Sequence, residues 1–379
     1  MDFDFSAEQR QIQDEARRFL SAQCGTRAAR KAIESDSPHD AALWRAIAEL
    51  GWTGITIPET YGGLGLGYLE ACLIAEELGR TVAPVPLSSS IFLAAEALLR
   101  HGSETQCATW LPQLASGASI GTVALTEAAS DLLPSPPACS VEHGRLSGAK
   151  SPVADAAVAD VAIVLATEDG HPGLFLAPLR QEGVRCTPLR SIDPSRPLAN
   201  LSFDQVAVER IGDADGLSAA QALLDRAAVL LAFEQIGIAD ASLDLARGFV
   251  LERQVFGRTL GSYQAVKHKL AELYVSNQIA RSNAYYGAWA LSTDDAALPL
   301  AASLSRVAAI QAARAASREG LHLHGGMGFT WEADCHLYYR RAQHLALILG
   351  GERHWKRRML QHARPQLPGA VNTHRMAAA

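Results

Sequence analysis

Cysteine is sparse in this 379-residue sequence, with six residues at Cys24, Cys72, Cys107, Cys139, Cys186 and Cys335. None forms a CxxC pair or sits at metal-site spacing. Scattered thiols of this kind exclude a disulfide framework and point to a reducing, cytoplasmic setting. Positive charge is not in excess: 34 Lys and Arg stand against 40 Asp and Glu, a net charge of −6. Nucleic acid is thereby excluded as the main partner, because phosphate binding leaves a basic footprint. Long apolar runs are missing too. Asp, Arg or Glu interrupts every candidate before the roughly 18 residues of a membrane-spanning helix. The opening MDFDFSAEQRQ is acidic and amphipathic, without the basic-then-apolar layout of a secretory signal. No GxSxG, HExxH, P-loop or kinase-type motif is present. His322 and His324 are two apart at the end of a helical pattern, so their side chains diverge, and no third ligand is near; a metal site is not expected. The Gly-rich run 62–67 follows a Pro-containing turn instead of a strand, and reads as a tight structural loop rather than a phosphate cradle.

What is present divides into three parts. Residues 1–118 carry helical periodicity: Phe5, Ile12, Ala16 and Phe19 recur at helix spacing behind a capping Ser6. Further helices are expected near 40–50, 68–78, 90–101 and 104–115. Over 119–212 the pattern changes to short alternating or apolar runs (GTVALT, DVAIVLA, GLFLAP, NLSFDQVAVE) punctuated by Gly, Pro, Asp and Ser. That predicts an antiparallel β sandwich or barrel. Over 213–364 longer helices return, near 219–250, 261–291 and 297–322, rich in Ala and Leu as in a four-helix-type bundle. Gly237 weakens the first of them. The tail 365–379 has no periodicity and reads as loose. The fold class is therefore α+β in three parts. The basic clusters Arg340–Arg341 and Lys356–Arg358 fit either a solvated helix face or an anion or interface contact.

Four segments, in this order, resemble the acyl-CoA dehydrogenase family of flavoproteins. They are ELGWTGITIPETYGGLGLGYLEACLIAEELGR at 49–80, ALTEAASD at 124–131, LERQVFGRTLGSYQAVKHKLAE at 251–272 and LHLHGGMGFTWEADCHLYYRRA at 321–342. The second is two residues shorter than the family's T-E-P-x-A-G-S-D signature. The resemblance implies FAD as cofactor, a CoA thioester as substrate and an oligomer, a dimer or tetramer, with the flavin site shared between subunits. It implies cofactor-binding roles for Thr126, Arg253, Phe256, Gln264, His322, Gly325 and Gly326, and places Ser130 near the thioester or pantetheine. The residues suit those roles. Arg253 offers a planar fork of donors for a pyrophosphate, or for an ion pair with Glu252 or Glu272. Phe256 can pack on an adenine, on the flavin region or in a core. Gln264 carries a donor and an acceptor for an adenine edge. Gly325 and Gly326 permit close backbone approach or cap a helix. Thr126 presents a hydroxyl from the first β-strand, where a Thr is favoured in any case.

One element of the family is missing. Desaturation beside a thioester needs a base for the α proton while hydride leaves the β carbon, and the family uses a Glu. Here Leu349 occupies its usual position, in Ile348-Leu349-Gly350-Gly351, and Ala227 occupies the alternative one. Glu234, seven residues after Ala227 and back on the same helical face, is the nearest internal substitute, and Glu352 another. Four readings follow: a broad-sense acyl-CoA dehydrogenase; the base-less subunit of a hetero-oligomer whose Glu comes from a homologous chain, with wording most like members that desaturate steroid side-chain thioesters; a repurposed monooxygenase or oxidase; or a non-catalytic partner. An electron-transfer flavoprotein is the expected acceptor.

Overall fold

The computed structural model describes residues 5–35, 37, 39–128 and 132–363. Ser130 and the tail 365–379 lie outside the described residues. The first part is helical: α1 (Ala7–Gln23), α2 (Gly25–Glu34), α3 (Ala41–Glu49) and α4 (Tyr68–Arg80), then α5 (Leu87–Ser89) running through a π segment, Ser90–Ala95, into α6 (Glu96–His101), and α7 (Glu104–Ala115). Ser6 caps α1 in a reciprocal box, its hydroxyl accepting from Gln9 N while Gln9 Oε1 accepts from Ser6 N. The 62–67 loop is structural: a Cβ on Gly63 would fall 2.0 Å from the Ile57 carbonyl oxygen.

The middle part is one eight-stranded sheet. Its strands are β1 (Gly121–Ala124), β2 (Ser140–Glu142), β3 (Arg145–Ala154), β4 (Val161–Glu168), β5 (His171–Pro178), β6 (Val184–Leu189), β7 (Leu198–Ala207) and β8 (Glu209–Ile211). Their order is β6-β7-β3-β2-β4-β5-β8, with β1 beside β4. Most pairings are antiparallel, but β1 and β2 both pair with β4 in parallel, a departure from the purely antiparallel expectation. The alternation on β4 explains why the sheet is apolar on both sides. Val161, Ile163 and Leu165 join the core shared with the helices, while Ala162, Val164 and Ala166 pack with Phe175, Leu201 and Val206 inside the curled sheet.

The last part is built on α8 (Gly216–Glu252), a single 37-residue helix, followed by the hairpin β9 (Gln254–Val255) and β10 (Arg258–Thr259), then α9 (Gln264–Ser292), α10 (Leu298–Leu323), α11 (Cys335–Leu345) and α12 (Glu352–Ala363). Gly237 does not break α8. It is where α4 crosses: a Cβ there would lie 1.9 Å from Glu76 O, and a Cβ on Gly79 of α4 would lie 1.9 Å from Glu234 O. Two glycines facing one another let the backbones touch. Among the described residues no helix is long and apolar enough to cross a membrane.

Candidate functional site

Two concave features flank α8. The first is a groove of about 510 Å³ at its carboxyl end, lined by Phe249, Arg253, Leu260, His322, His324, Gly325, Gly326 and neighbours. Arg253 is the C-cap of α8, so the helix end aims it outward. Its guanidinium is exposed and has no hydrogen bond or ion pair among the described residues. The alternative ion pairs are absent: Glu272 pairs with Lys269 instead. Gly325 has φ +61°, and a Cβ on either Gly325 or Gly326 would meet nothing within 4 Å. Gly326 therefore has no neighbour in the chain that forbids a side chain. An unclaimed guanidinium facing two bare backbone units is a cradle that fits a dinucleotide pyrophosphate. His324 is held by stacking on Phe249 (centroids 4.4 Å apart) and by Nδ1 against Gly320 O at 2.6 Å. His322 points outward near Glu319, and no metal-binding cluster exists among the described residues.

Four of the sequence-derived residues thus meet in the groove: Arg253, His322, Gly325 and Gly326. Phe256 and Gln264 do not line it. Phe256 sits at the tip of the β9–β10 hairpin with φ +51° and is 94% exposed. Gln264 opens α9 on the surface.

The second feature is a partly open cavity of about 170 Å³ between the three parts. Leu93, Leu125, Leu132, Leu198, Leu224, Leu231, Leu347, Ile348 and Leu349 supply its apolar walls, and Ser88, Ser89, Thr122 and Thr126 its hydroxyls. Thr126 lies just past β1, not within a strand. Its hydroxyl donates to Leu132 O at 3.0 Å, and its carbonyl accepts from Ser151 N at 2.9 Å. The turn is anchored next door, where Glu127 accepts from Ala138 N, Cys139 N and, at 2.7 Å, the fully buried Lys150 Nζ. Burial raises the Glu127 pKa, but Lys150 and the two amides outweigh it and hold the carboxyl below its usual range.

Leu349 does line this cavity; among the described residues no carboxylate, imidazole or amine does. Ala227 is fully buried in α8. Glu234 lies outside the cavity lining, in a buried charge cluster that joins all three parts. Its Oε1 accepts from Arg196 Nη1 at 3.4 Å and lies 3.6 Å from Arg341 Nη1. Arg196 also donates to Asp155 Oδ2 (3.0 Å) and Ser88 Oγ (2.6 Å). Arg341 donates to Asp193 Oδ2, Val82 O, Ala83 O and Ser195 Oγ. Burial raises the Asp193 pKa, and the charges of Arg341 and its neighbours more than reverse it, leaving the carboxyl below its usual range. Burial pushes His344, in the same cluster, down to about 4. Glu352 is at the surface, accepting from Gln311 Nε2 and paired with Lys356.

The solvated-face reading of the basic clusters fails for two of their members. Arg341 is fully buried, and Arg358 pairs with Asp225 of α8 at 2.5 Å. The cluster and the Glu127–Lys150 pair escaped sequence reading because the partners are 23 to 148 residues apart. A faint signal existed in the lone arginine of LAASLSRVAAIQ, an otherwise apolar stretch.

Comparison with known proteins agrees with this architecture. Residues 6–118 match the acyl-CoA dehydrogenase N-terminal domain, and residues 214–363 match the acyl-CoA dehydrogenase C-terminal domain. The chain is 31% identical to acyl-CoA dehydrogenase IpdE2 of Mycobacterium tuberculosis, over 93% of this chain and 96% of that one. It is 34% identical to acyl-CoA dehydrogenase IpdE2 of Mycolicibacterium smegmatis, over 88% and 91%. Among solved structures, the Tcur3481-Tcur3483 steroid ACAD G363A variant superposes with a TM-score of 0.86 at 31% identity, covering 95% of this chain and 98% of that one. The ChsE4-ChsE5 complex of Mycobacterium tuberculosis gives 0.87 at 27% identity, covering 97% and 100%. The chain belongs to the acyl-CoA dehydrogenase family. That is an oxidoreductase family whose cofactor is FAD, and the groove around Arg253 has the donors and the open backbone that such a cofactor needs.

Proposed function

We propose that this chain is the base-less subunit of a two-chain acyl-CoA dehydrogenase that α,β-desaturates a bulky, apolar CoA thioester of the steroid side-chain class, a homologous chain supplying the catalytic Glu. The observation that carries this reading is the cavity itself. Leu349, which the resemblance sets at the family's base position, stands in its wall, Ala227 holds the alternative position, and among the described residues no lining group takes a proton at neutral pH. The relatives support it: one similar structure bears two protein names and the words steroid ACAD, and another is described as a complex of two chains.

Each part of the chain has a task in this scheme. Arg253 and the backbone at Gly325–Gly326 bind pyrophosphate at a site shared between subunits. FAD held there would supply the acceptor for the hydride of the β carbon, with an electron-transfer flavoprotein as the onward acceptor. The Thr126 turn, fixed by Glu127 and Lys150, orients what enters the cavity. The leucine walls exclude water. Glu234 is committed to two guanidiniums and does not serve as the base.

The test is purification of the chain alone and co-expressed with a Glu-bearing homologue, each mixed anaerobically with a panel of acyl-CoAs. The isolated chain should run as an oligomer or not retain flavin, and should bleach flavin at least about 10²-fold more slowly than the pair. Fast bleaching by the isolated chain that survives Glu234→Gln and Glu352→Gln would overturn the reading.

A further inference from the structure

We propose that Arg306 is a positioning residue: it holds the loop that forms the 347–349 wall of the cavity, so that whatever side chain stands at 349 projects inward. Arg306 lies on α10 and is fully buried. Its guanidinium touches no carboxylate. Nη1 donates to Gln235 Oε1 on α8; Nη2 donates to two loop carbonyls, Leu345 O and, at 2.9 Å, Ile348 O; Nε has no partner. An apolar side chain of the same size would fill this space without the cost of burying a charge. What only the guanidinium supplies is a grip on α8 and on two carbonyls at once.

A second grip lies one residue further on. Trp355 of α12 is fully buried and donates Nε1 to Leu349 O at 3.0 Å. Between these two grips the chain turns through left-handed backbone at Leu349 (φ +58°) and Gly350 (φ +90°). A leucine is ill suited to that conformation, and neither local propensity nor its own side chain explains it. Tied carbonyls on both sides do. Ile348 and Leu349 are left to pack against the core at the cavity, while Leu347 at its edge is mostly exposed. The socket at 349 is thus built by residues other than its occupant. Glu234, next to Gln235, is the buried carboxylate whose charge bears on Arg306.

The inference rests on the structure for the loop and on the proposed function only for its catalytic consequence, and the experiment separates the two. Arg306→Met and Arg306→Lys are prepared alone and with Leu349→Glu. Amide hydrogen exchange over 345–351 should quicken at least about tenfold in Arg306→Met, stay unchanged in α4 and β4, and return toward the parent in Arg306→Lys. Trp355→Phe, which removes only the second grip, should quicken the same amides if Arg306→Met does not fold. With FAD bound, Leu349→Glu should bleach flavin with acyl-CoA about 10²-fold faster than the parent. Adding Arg306→Met should remove that gain at equal flavin content, and Arg306→Lys should restore part of it. Unaltered exchange in both Arg306→Met and Trp355→Phe overturns the proposal, as does a gain indifferent to Arg306→Met. Exchange that responds while Leu349→Glu gains nothing in any background upholds Arg306 as the holder of the loop and overturns the catalytic reading of position 349.

Discussion

At the carboxyl end of α8, Arg253 stands in an open groove with a guanidinium that no side chain among the described residues engages. Near the middle of the same helix, Arg196, Arg306 and Arg341 are sealed in, together with Asp155, Asp193 and Glu234. Arg196 and Arg341 meet the three carboxylates there while Arg306 bonds an amide and two carbonyls beside them, and all six residues are at most 4% exposed. The same residue type does opposite work in the two places. In the groove its donors are kept free for something from outside; in the interior they are spent on holding the N-terminal helices, the sheet and the bundle to one another. The cavity beside that interior cluster is mostly apolar, and among the described residues only hydroxyls break its apolar lining. The chain therefore keeps its capacity to bind and gives its interior over to assembly.

The strongest way to break this comparison is Glu234→Gln. If the carboxylate is a counter-charge, its loss leaves three buried guanidiniums against two carboxylates and should cost about 3–5 kcal/mol of stability, measured by urea unfolding. Unchanged stability with lost bleaching would return Glu234 to the role of base. Next comes Gly237→Ala, which forces a methyl group into the α4 backbone. It should cost about 1–3 kcal/mol or more and lower the melting temperature without altering the affinity of the groove. Arg253→Ala, in the open region, should leave the melting temperature of the flavin-free protein unchanged. It should weaken flavin retention roughly tenfold or more, a charge-assisted contact being worth about 1.5–3 kcal/mol; full occupancy after dilution would remove Arg253 from the site.

The smallest effect is a pH dependence. His344 is held neutral by burial, its pKa falling from 6.5 to about 4. Between those values the unfolded chain binds the extra proton, so His344 contributes stability above pH 6.5 that is lost as the pH falls toward 4. Asp225 acts oppositely: burial raises it from 3.8 to about 6 against the pull of Arg358, so its contribution is present below pH 3.8 and is lost as the pH rises through 6. The two nearly offset one another between pH 4 and 6. His344→Gln should therefore make stability fall with rising pH across that window, as followed by thermal melts. A parallel profile for variant and parent would show that His344 is not neutral in the fold.

Much of this was legible from periodicity and motif. The helix expected at 104–115 is α7, and the long apolar pattern near 219–250 is α8. Ser6 could be read as a cap because capping is local, within three residues. Gly237 misled, since its reason is a crossing helix about 160 residues away in sequence. Thr126 was placed in a strand because Val123–Ala124–Leu125 reads as one. The chain leaves the sheet at Ala124 so that Glu127 can reach Lys150. The groove was half legible: its glycines and Arg253 belong to motifs, while Phe256 and Gln264, from the same motif, point elsewhere on the surface. The charge cluster left only the faint signal of Arg306 in an apolar stretch, because ion pairs between distant segments leave no period in the sequence.

The length of α8 acts as a ruler. From the level of Leu224 and Leu231, which wall the cavity, to that of Phe249 and Arg253, which line the groove, is roughly 35 Å along the axis at 1.5 Å per residue. That span is fixed, because the helix is unbroken across the α4 crossing. The groove and the cavity of one chain are therefore held apart by a fixed length of helix. The spacing of the two features is in this sense written into a residue count: shortening α8 by two whole turns between Ala239 and Phe249 would nearly preserve every helical face and still bring groove and cavity about 10 Å closer together.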